Sequence, residues 1–325
     1  MKLIIKQKTL KEGEYMPYDL TEPLVIGISS RALFNLEAEN EIYEKQGINA
    51  YAAYQRDHED EILQKGSAFP LVEAFLRLNE LQEGKKLVEV IIMSRNSPDT
   101  NLRIFKSIEQ YGLDITRAAF VGGADMTPYL KAFKTDLFLS AYRPDVEKAV
   151  NNDIAAGCIV AGASYDTQKV EQIRIAFDGD AVLFSAESER IYQNQGMEAF
   201  MEHEQAHAKD PMPKGPFANF LMTLSNIQNR FTTREDSPIR TALVTSRNAP
   251  AHERAIRTLR DWNVRVDEAF FLGGVKKKEI LSAFGAHIFF DDQEVHTDAA
   301  AGVVASAVVP YREGDNPSTK GNVNS

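Results

Sequence analysis

The sequence predicts an α/β protein built from two similar halves, each a mainly parallel sheet with helices on both faces. Two observations support this prediction. Short apolar runs alternate with helical patterns along the chain, and a series of sequence blocks from the first half returns in the second. The length of 325 residues also allows two domains. Hydrophobic residues make up 43% and charged residues 26% of the chain, which is typical of globular proteins.

Five sequence blocks recur in the same order, with an offset of about 150 residues. The pairs are "LFNLEAENEIYEKQG" and "LFSAESERIYQNQG", "HEDEILQKG" and "HAKDPMPKG", "IIMSRNSP" and "ALVTSRNAP", "AAFVGGADMTPYLKAF" and "EAFFLGGVKKKEILSAF", and "TDLFLSAY" and "AHIFFDDQ". This period is too long for a solenoid, so we interpret it as a duplication. We expect an N-terminal extension over 1–23, a first half over 24–165, a second half over 166–312 and a disordered polar tail over 313–325.

In the second half, five runs rich in Ile, Val and Phe predict strands. They are Ile173–Phe177, Thr241–Val244, Ala269–Leu272, Ile288–Phe290 and Val303–Val309. Between them, patterns such as "HERAIRTLRDW" repeat apolar residues at helical spacing. The stretch over 185–238 is too long for a simple crossover. We therefore expect a helical cap there, with a counterpart over roughly 35–85 in the first half.

Polar segments follow four of these strands, and the carboxyl ends of parallel strands meet at one edge of a sheet. The segments are Asp178-Gly179-Asp180, Thr245 to Asn248, Gly273-Gly274 with Lys276 to Lys278, and Asp291-Asp292. This set suits phosphoryl transfer, because carboxylates from several strands can hold Mg²⁺ while the metal and a lysine neutralise the phosphate.

The two aspartates after the first of these strands fit two different chemical roles. Once the phosphate is neutralised, Asp178 can attack it and form an aspartyl-phosphate. Asp180, two residues further on, can protonate the leaving oxygen and later activate water. The Thr245 hydroxyl can hold phosphate oxygens, and we expect Ser246, Arg247 and Asn248 to contact the substrate.

These segments resemble the motifs of the haloacid dehalogenase (HAD) superfamily, and within it most closely the cytosolic 5′-nucleotidase type I family. The likeness lies in "AFDGDAVLFSAESERI" and "HIFFDDQ", and in "SSRALFNLE" of the first half, and it extends from about Leu24 to Tyr311. It implies a HAD-like (Rossmannoid) fold and Mg²⁺-dependent hydrolysis of nucleoside 5′-monophosphates. It also favours Lys277 as the catalytic lysine.

The same resemblance implies a set of metal ligands at the strand ends. The expected ligands are Asp178, the backbone carbonyl of Asp180, and Asp291. Asp292 is expected either to bind the metal directly or to contact one of its ligands. Each feature alone has a structural explanation, since Asp-Gly often forms a turn, a lysine run can begin a solvated helix, and paired aspartates can cap a helix. The order and the strand-end placement of all four segments favour the catalytic interpretation.

Aligning the repeats predicts that the first half lacks the catalytic groups. The alignment pairs Asp178 with Ile28, Asp180 with Ser30, Thr245 with Met93, Lys277 with Met126, and Asp291 and Asp292 with Ser140 and Ala141. We therefore interpret the first half as a catalytically degenerate copy that supports the second half or contributes to its substrate pocket. Whether it also binds a nucleotide effector stays open.

Two further patterns have alternative interpretations. The sequence "HEQAH" places His203 and His207 at the spacing of a zinc protease motif, with Glu204 between them. We reject that function, because the first half keeps only His58 at the matching place and the phosphoryl-transfer set accounts for more of the chain. His296 either lines the crevice or lies on the surface.

Composition limits the partners and the location. The net charge of −10 argues against a polymeric nucleic-acid partner, although a small anionic substrate remains compatible with it. The single cysteine, Cys158, lies in an apolar run and is interpreted as a core thiol. The chain shows no signal-peptide pattern and no membrane-length apolar run, so we expect a cytoplasmic protein without a membrane partner. A homo-oligomer remains compatible with the sequence.

Three other functions are weighed against the nucleotidase. A phosphatase acting on another small phosphate ester, such as a sugar phosphate, would use the same core with a different cap. A non-enzymatic nucleotide-binding protein would not need the paired Asp178 and Asp180. A dinucleotide-dependent oxidoreductase would need a G-x-G-x-x-G loop after its first strand, and this sequence has none there.

Overall fold

A computed structural model describes residues 18–81, 86–161 and 170–316 of the chain. The expected N-terminal extension lies outside the described residues up to position 17, and the expected disordered tail lies outside them from position 317. Residues 313–315 form a turn, and the Glu313 N–H donates to Asn151 Oδ1 at 2.7 Å. The described start of the expected tail is therefore a hydrogen-bonded turn.

The described residues contain one ten-stranded sheet and one two-stranded sheet. In chain order the strands are β1 (Leu24–Ile28), β2 (Phe34–Asn35), β3 (Gln64–Lys65), β4 (Val88–Ser94), β5 (Arg117–Phe120), β6 (Leu137–Ser140), β7 (Ala155–Ala161), β8 (Ile173–Phe177), β9 (Ile239–Thr245), β10 (Glu268–Phe271), β11 (Ile288–Asp291) and β12 (Ala305–Val308). The strands predicted in the second half are all present. Relative to the apolar runs, β9 is longer by two residues at its start and one at its end, and β12 is shorter by two residues at its start and one at its end.

Helices connect these strands and cover the large sheet. They are α1 (Ser30–Leu33), α2 (Glu37–Gln46), α3 (Ile48–Asp57), α4 (Phe69–Arg77), α5 (Leu102–Gln110), α6 (Thr127–Ala132), α7 (Arg143–Val150), α8 (Glu187–Ala206), α9 (Ala218–Gln228), α10 (His252–Asp261), α11 (Lys277–Phe284) and α12 (Glu294–Ala300). None of the helices in the described ranges is long and apolar enough to cross a membrane.

The large sheet consists of two parallel sets of five strands that meet at one antiparallel junction. The strand order is β10-β9-β8-β11-β12-β7-β6-β1-β4-β5, and only the pair β12 and β7 is antiparallel. Outward from this junction the orders are β7-β6-β1-β4-β5 and β12-β11-β8-β9-β10. In each set the last strand in the chain comes first, followed by the fourth, the first, the second and the third, so both sets have the same connectivity. Because the sets run in opposite directions, their carboxyl ends lie at opposite edges of the sheet, and so do the two crevices they form.

The sheet is buried on both faces, which explains why its strands are nearly continuous apolar runs. All five residues of β1, "LVIGI", are buried. On one face Phe217, just before α9, and Phe220 of α9 pack against β8 and β11, with the rings of Phe217 and Phe290 4.6 Å apart and those of Phe220 and Phe177 6.1 Å apart. Burial of each such ring stabilises the fold by roughly 1.5–3 kcal/mol.

The segment predicted as a cap contains two helices of different character. In α8 only Ser188, Phe200 and Glu204 are buried, as expected for a helix over the edge of the sheet. In α9 most side chains are buried, Phe220 and Leu224 among them, so α9 is a core helix packed on the sheet. The crossover is therefore long because it holds both an outer helix and a core helix.

Candidate active site

The candidate site begins where β8 ends. The Asp178 N–H donates to the Phe290 carbonyl at 2.8 Å, which places Asp178 beside the end of the neighbouring strand β11. Asp291 and Asp292 follow Phe290 in the chain. Adjacent parallel strands thus bring three carboxylates together from two segments far apart in sequence.

The chain after Asp178 makes an irregular turn over Gly179–Leu183. A hydrogen bond from the Phe184 N–H to the Gly179 carbonyl (2.9 Å) closes the turn. A Cβ at position 179 would lie 3.2 Å from Thr245 Oγ1, so glycine allows the buried Thr245 at the end of β9 to approach the turn closely. Glycine between the two aspartates therefore relieves close packing against Thr245.

The three carboxylates form a compact, buried cluster. Asp178, Asp291 and Asp292 each place a carboxylate oxygen within 4.8 Å of the others. Lys277 Nζ donates to Asp178 Oδ1 at 2.6 Å and to Asp291 Oδ2 at 2.7 Å. Asp291 is completely inaccessible, and the other three residues are less than a tenth exposed.

The electrostatics of the cluster show an excess of negative charge. Burial raises the pKa of Asp292, and the charges of Asp178 and Asp291 raise it further. Burial also raises the pKa of Asp178 above its ordinary value, despite the opposing effect of Lys277. For Lys277, burial disfavours the ammonium form, but the charges of Asp178 and Asp291 outweigh it and raise the pKa above its usual range.

This donor set fits a divalent cation. One ammonium compensates only part of the charge of three buried carboxylates, and their hard oxygen atoms are the ligands that Mg²⁺ prefers. Among the described residues, this is the group of acidic, His or Cys side chains close enough to share an ion. The expected ligands Asp178, Asp291 and Asp292 therefore lie together, whereas the side chain of Asp180 lies outside the group.

Asp180 is held by Arg247. Its carboxylate accepts from Arg247 Nε at 2.8 Å and from Arg247 Nη2 at 2.6 Å. The other side of the guanidinium donates to Glu204, and Arg254 Nη1 donates to the same carboxylate at 3.0 Å. Arg247 is only 4% exposed. The guanidinium is therefore buried and occupied on both sides, and the expected contact of Arg247 with the substrate stays a prediction.

The neighbours of Arg247 are placed differently. Ser246 and Asn248, just after β9, are exposed and therefore accessible to a ligand. All three residues follow the end of β9 at Thr245, and of the three only Arg247 is buried. The structure thus separates the three expected substrate-binding residues into two that face outward and one that positions Asp180.

The "HEQAH" segment belongs to this buried network. Glu204 is 1% exposed and accepts from Ser188 Oγ at 2.7 Å as well as from the two arginines. His203 Nδ1 lies 3.2 Å from the Glu204 carboxylate, and His207 Nδ1 lies 2.9 Å from the His203 carbonyl. Glu204 is thus committed to ion pairs, which gives the motif a structural explanation.

Two residues near the cluster complete its surroundings. His296 Nδ1 lies 3.1 Å from Asp291 Oδ2, so His296 lines the crevice, one of the two placements that the sequence allowed. The Tyr311 hydroxyl donates to Asp292 in a short hydrogen bond. Sequence reasoning missed Tyr311 and the role of Glu204. The only signal for Tyr311 is its position just after the last strand.

The structure corrects the alignment between the two halves. The Ser29 N–H donates to the Leu139 carbonyl at 2.9 Å, as the Asp178 N–H donates to Phe290. Leu139 pairs with Ile28 in the sheet, and Phe290 with Phe177. Ser29, and not Ile28, therefore occupies the position of Asp178.

The same correction applies at the next strand. The Asn96 N–H donates to Ser94 Oγ at 3.2 Å, as the Arg247 N–H donates to Thr245 Oγ1 at 3.2 Å. Ser94, and not Met93, therefore matches Thr245. Met93 is fully buried and packs in the core with Leu130.

At the ends of β6 and β11 the alignment and the structure agree. The Tyr142 N–H donates to Ser140 Oγ at 3.1 Å, and the Gln293 N–H donates to Asp291 Oδ1 at 2.9 Å. Three serines thus stand where the second half has Asp178, Thr245 and Asp291. The first half lacks the carboxylates, as predicted, but the matching positions are hydroxyls rather than the hydrophobic side chains that we expected at two of them.

Comparisons with known proteins place this geometry in a family. The family model described as 5′-nucleotidase matches residues 16–316. Human cytosolic 5′-nucleotidase 1B is 37% identical over 286 residues, which is 85% of this chain and 47% of the human protein. The chain therefore spans about half the length of this curated relative. No solved structure matches the chain significantly.

Proposed function

The chain belongs to the 5′-nucleotidase family, and from this we propose that it hydrolyses nucleoside 5′-monophosphates to a nucleoside and phosphate, using Mg²⁺. The observation that carries the proposal is the buried cluster of Asp178, Asp291 and Asp292, bridged by Lys277 at the carboxyl ends of the strands. A cluster of this kind suits the transfer of a dianionic group better than the binding of a neutral one.

We propose that Asp178, Asp291 and Asp292 hold the metal, together with the backbone carbonyl of Asp180. When bound, Mg²⁺ would neutralise the phosphoryl oxygens and allow an anionic nucleophile to approach. Lys277 donates to Asp178 and so keeps it oriented, and its ammonium would also stabilise the charge of the phosphoryl oxygens. Thr245, less than 2% exposed beside Gly179, adds a hydroxyl donor.

The proposed reaction has two steps. In the first, a carboxylate oxygen of Asp178 attacks phosphorus, the bond from phosphorus to the 5′ oxygen breaks, and Asp180 gives its proton to the leaving nucleoside. In the second, Asp180 takes a proton from water, which attacks phosphorus and releases phosphate from Asp178. Because Asp180 is paired with Arg247, proton donation requires that its carboxyl group leaves this ion pair.

The architecture proposed to carry this chemistry is a duplicated HAD-like fold with helical caps. The equal strand connectivity on both sides of the junction between β7 and β12 supports a duplication, with halves over 24–165 and 166–312. The exposed character of α8 supports a cap within 185–238. The serines in the first half support a degenerate copy that does not catalyse the reaction.

We further propose a cytoplasmic protein without a membrane or polymeric nucleic-acid partner, and a homo-oligomer is compatible with this. The human relative is named a cytosolic 5′-nucleotidase, which supports this location. The net charge of −10 opposes the binding of a polyanion.

The test is phosphate release from a panel of ribo- and deoxyribonucleoside 5′-monophosphates and of sugar phosphates, each with Mg²⁺ and with EDTA. We expect the highest kcat/KM for a nucleoside 5′-monophosphate, loss of activity in EDTA and its return with Mg²⁺. A preference for a sugar phosphate would replace the substrate class by the alternative HAD-type phosphatase. Full turnover in EDTA would contradict the metal site.

A further inference from the structure

A large cavity lies in the first half, at the edge of the sheet opposite the aspartate cluster. Its volume is about 480 Å³, within the usual range for pockets that hold small molecules. It opens at the carboxyl ends of β1, β4 and β6, which is the place that Asp178, Thr245 and Asp291 occupy in the second half. The first half has therefore kept a crevice although it lost the catalytic groups.

The inner end of this cavity is lined by hydroxyl groups. Ser29, Ser94 and Ser140 are buried, and each Oγ accepts a backbone N–H, at 3.2, 3.2 and 3.1 Å respectively. Ser30 Oγ and Ser94 Oγ lie 3.1 Å apart. Within the part of the chain that the structure describes, neither Ser29 nor Ser140 donates its hydroxyl hydrogen to a protein acceptor, so both can donate to a ligand.

This crevice differs from the catalytic one in the charge of the side chains at the strand ends. In the second half, three carboxylates would repel a phosphoryl group unless a cation is bound. In the first half, serines and Ala141 replace the carboxylates, and Met126 replaces Lys277. A phosphoryl group could therefore be held here without a metal, and no carboxylate stands in position to attack it.

Cationic and acidic groups also line this cavity. Arg95, with a side chain 40% exposed, and the partly exposed Arg31 are its cations. Its two carboxylates already have donors, since Asp145 accepts from Arg95 at 3.2 Å and Glu44 accepts from Asn40 at 2.8 Å. Arg31 is likewise paired with Glu37 at 2.9 Å, so the charged side chains of the lining balance and the hydroxyl end carries no charge of its own.

The outer wall of the cavity is apolar and aromatic. Tyr43, Ile48 and Tyr142 line it and are 50%, 65% and 41% exposed, an unusual exposure for large apolar side chains. The Tyr51 hydroxyl accepts from Asn96 Nδ2 at 2.7 Å, which places amide and phenol groups between the serines and this wall. Exposed rings of this kind can stack on a flat ligand ring.

We propose that the first half binds a nucleoside phosphate, without a divalent cation and without hydrolysing it. The phosphoryl group lies at Ser29, Ser94 and Ser140, and the base lies against the tyrosines. This site is separate from the aspartate cluster, so it stands or falls independently of the catalytic proposal.

The experiment is calorimetric titration of the full chain with adenosine 5′-monophosphate in EDTA. We expect saturable binding to one site, and Ser140→Asp should weaken it by at least about tenfold, since a carboxylate beside the phosphoryl group repels it. The matched control is Ser282→Asp, which adds the same charge at an exposed position and should leave the affinity unchanged. Mg²⁺-dependent phosphate release by each variant reports that the second half is intact.

A milder variant covers the case in which Ser140→Asp fails to fold. Ser29→Ala removes one hydroxyl donor and should weaken binding several-fold, and since it also leaves the Ala32 N–H without its cap it should lower the free energy of unfolding by only about 0.5–2 kcal/mol. Absence of saturable binding in EDTA, or binding that both variants leave unchanged, would overturn the proposal. Binding that Lys277→Ala abolishes while Ser140→Asp preserves it would assign the ligand to the second half and would also overturn the proposal.

Discussion

At the scale of single residues, Lys277 is the cation that stabilises the buried carboxylates of Asp178 and Asp291. A substitution Lys277→Ala should abolish turnover, and in EDTA it should lower the free energy of unfolding by about 3–5 kcal/mol, because it leaves two buried carboxylates without their partner. Mg²⁺ should restore part of this stability. Chemical denaturation with and without Mg²⁺ measures it, and Lys278→Ala, at the exposed neighbouring position, is the control. Equal stability of both variants in EDTA would contradict the ion pairs.

Asp180 gives the second prediction at this scale. Asp180→Asn should slow turnover by roughly two to four orders of magnitude, the usual contribution of a general acid or base. It also removes the carboxylate that Arg247 holds, so the measurement pairs kcat with the melting temperature. Asp298→Asn, on the exposed face of α12, is the control. A fully active Asp180→Asn variant would assign proton transfer to another group.

The sequence predicted the cluster because its members lie at the ends of strands or in the segments that follow them. Asp178, Asp291 and Lys277 each stand within a few residues of an apolar run, and strand-end geometry brings them together. The ion pair of Arg247 with Glu204 was not predictable in this way. It depends on the direction in which α8 crosses the site, and the sequence of a mostly exposed helix does not specify that direction.

At the scale of elements, the turn after β8 packs against Gly215. The Gly215 N–H donates to the Leu183 carbonyl at 2.8 Å, and a Cβ on Gly215 would lie 2.5 Å from the Val182 carbonyl oxygen and closer still to that of Phe184. Gly215→Ala should therefore destabilise the protein by about 1–3 kcal/mol or more.

Thermal unfolding measures the effect of Gly215→Ala. The matched control is Gly302→Ala, since a Cβ there meets only the end of the flexible Lys278 side chain, at 4.0 Å. The control should keep the wild-type melting temperature. If both variants unfolded at the wild-type temperature, the close packing of the turn would be wrong.

His287, at the start of β11, predicts a pH dependence of stability. Its Nδ1 accepts the Arg174 backbone N–H at 2.9 Å, and burial together with the nearby Arg174 charge lowers the pKa of His287 from 6.5 to about 4. The unfolded chain therefore binds more protons between these values. Stability should fall as the pH drops from 6.5 towards 4, by up to about 3 kcal/mol from this group.

The variant His287→Asn tests this assignment, because its amide oxygen can accept the same N–H but does not titrate. Denaturation at pH 7 and at pH 4.5 should show a smaller stability loss for the variant than for the wild type. An identical loss in both proteins would assign the pH dependence to other groups.

The turns after β1 and β8 explain why the sequence alignment of the two halves matched Asp178 with the wrong residue. The first half closes its turn with a bond from the Leu33 N–H to the Ser29 carbonyl, whereas the second half uses one residue more, from Phe184 to Gly179. Because of this additional residue, Asp178 lies five residues before Leu183, whereas Ser29 lies four residues before Leu33. An alignment on the "LF" pairs therefore matches Asp178 with Ile28 instead of Ser29. Nothing in the two sequences marks the additional residue, because both continue into the same "LF" pair, and only the hydrogen bonds of the sheet reveal it.

At the scale of the whole molecule, one sheet joins the two halves. The antiparallel pairing of β7 with β12 places Gly157 against Ala307, where a Cβ would come within 2.8 Å of the alanine side chain. The repeat in the sequence predicted two halves but not that they share one sheet, because the sequence of a short apolar strand does not specify which strand it pairs with. The junction turns the two crevices to opposite edges, so that one molecule carries a cluster of aspartates and a cluster of serines at equivalent places.

The most direct test compares these equivalent places in one assay. Phosphate release from a nucleoside 5′-monophosphate in Mg²⁺ is measured for Asp178→Asn and for Ser29→Ala, with melting temperatures that show both variants to be folded. We predict that Asp178→Asn loses turnover, because an amide is a poor nucleophile, and that Ser29→Ala keeps kcat within about threefold of the wild type. A near-normal rate for Asp178→Asn, or loss of turnover in a folded Ser29→Ala variant, would contradict the assignment of catalysis to the second half.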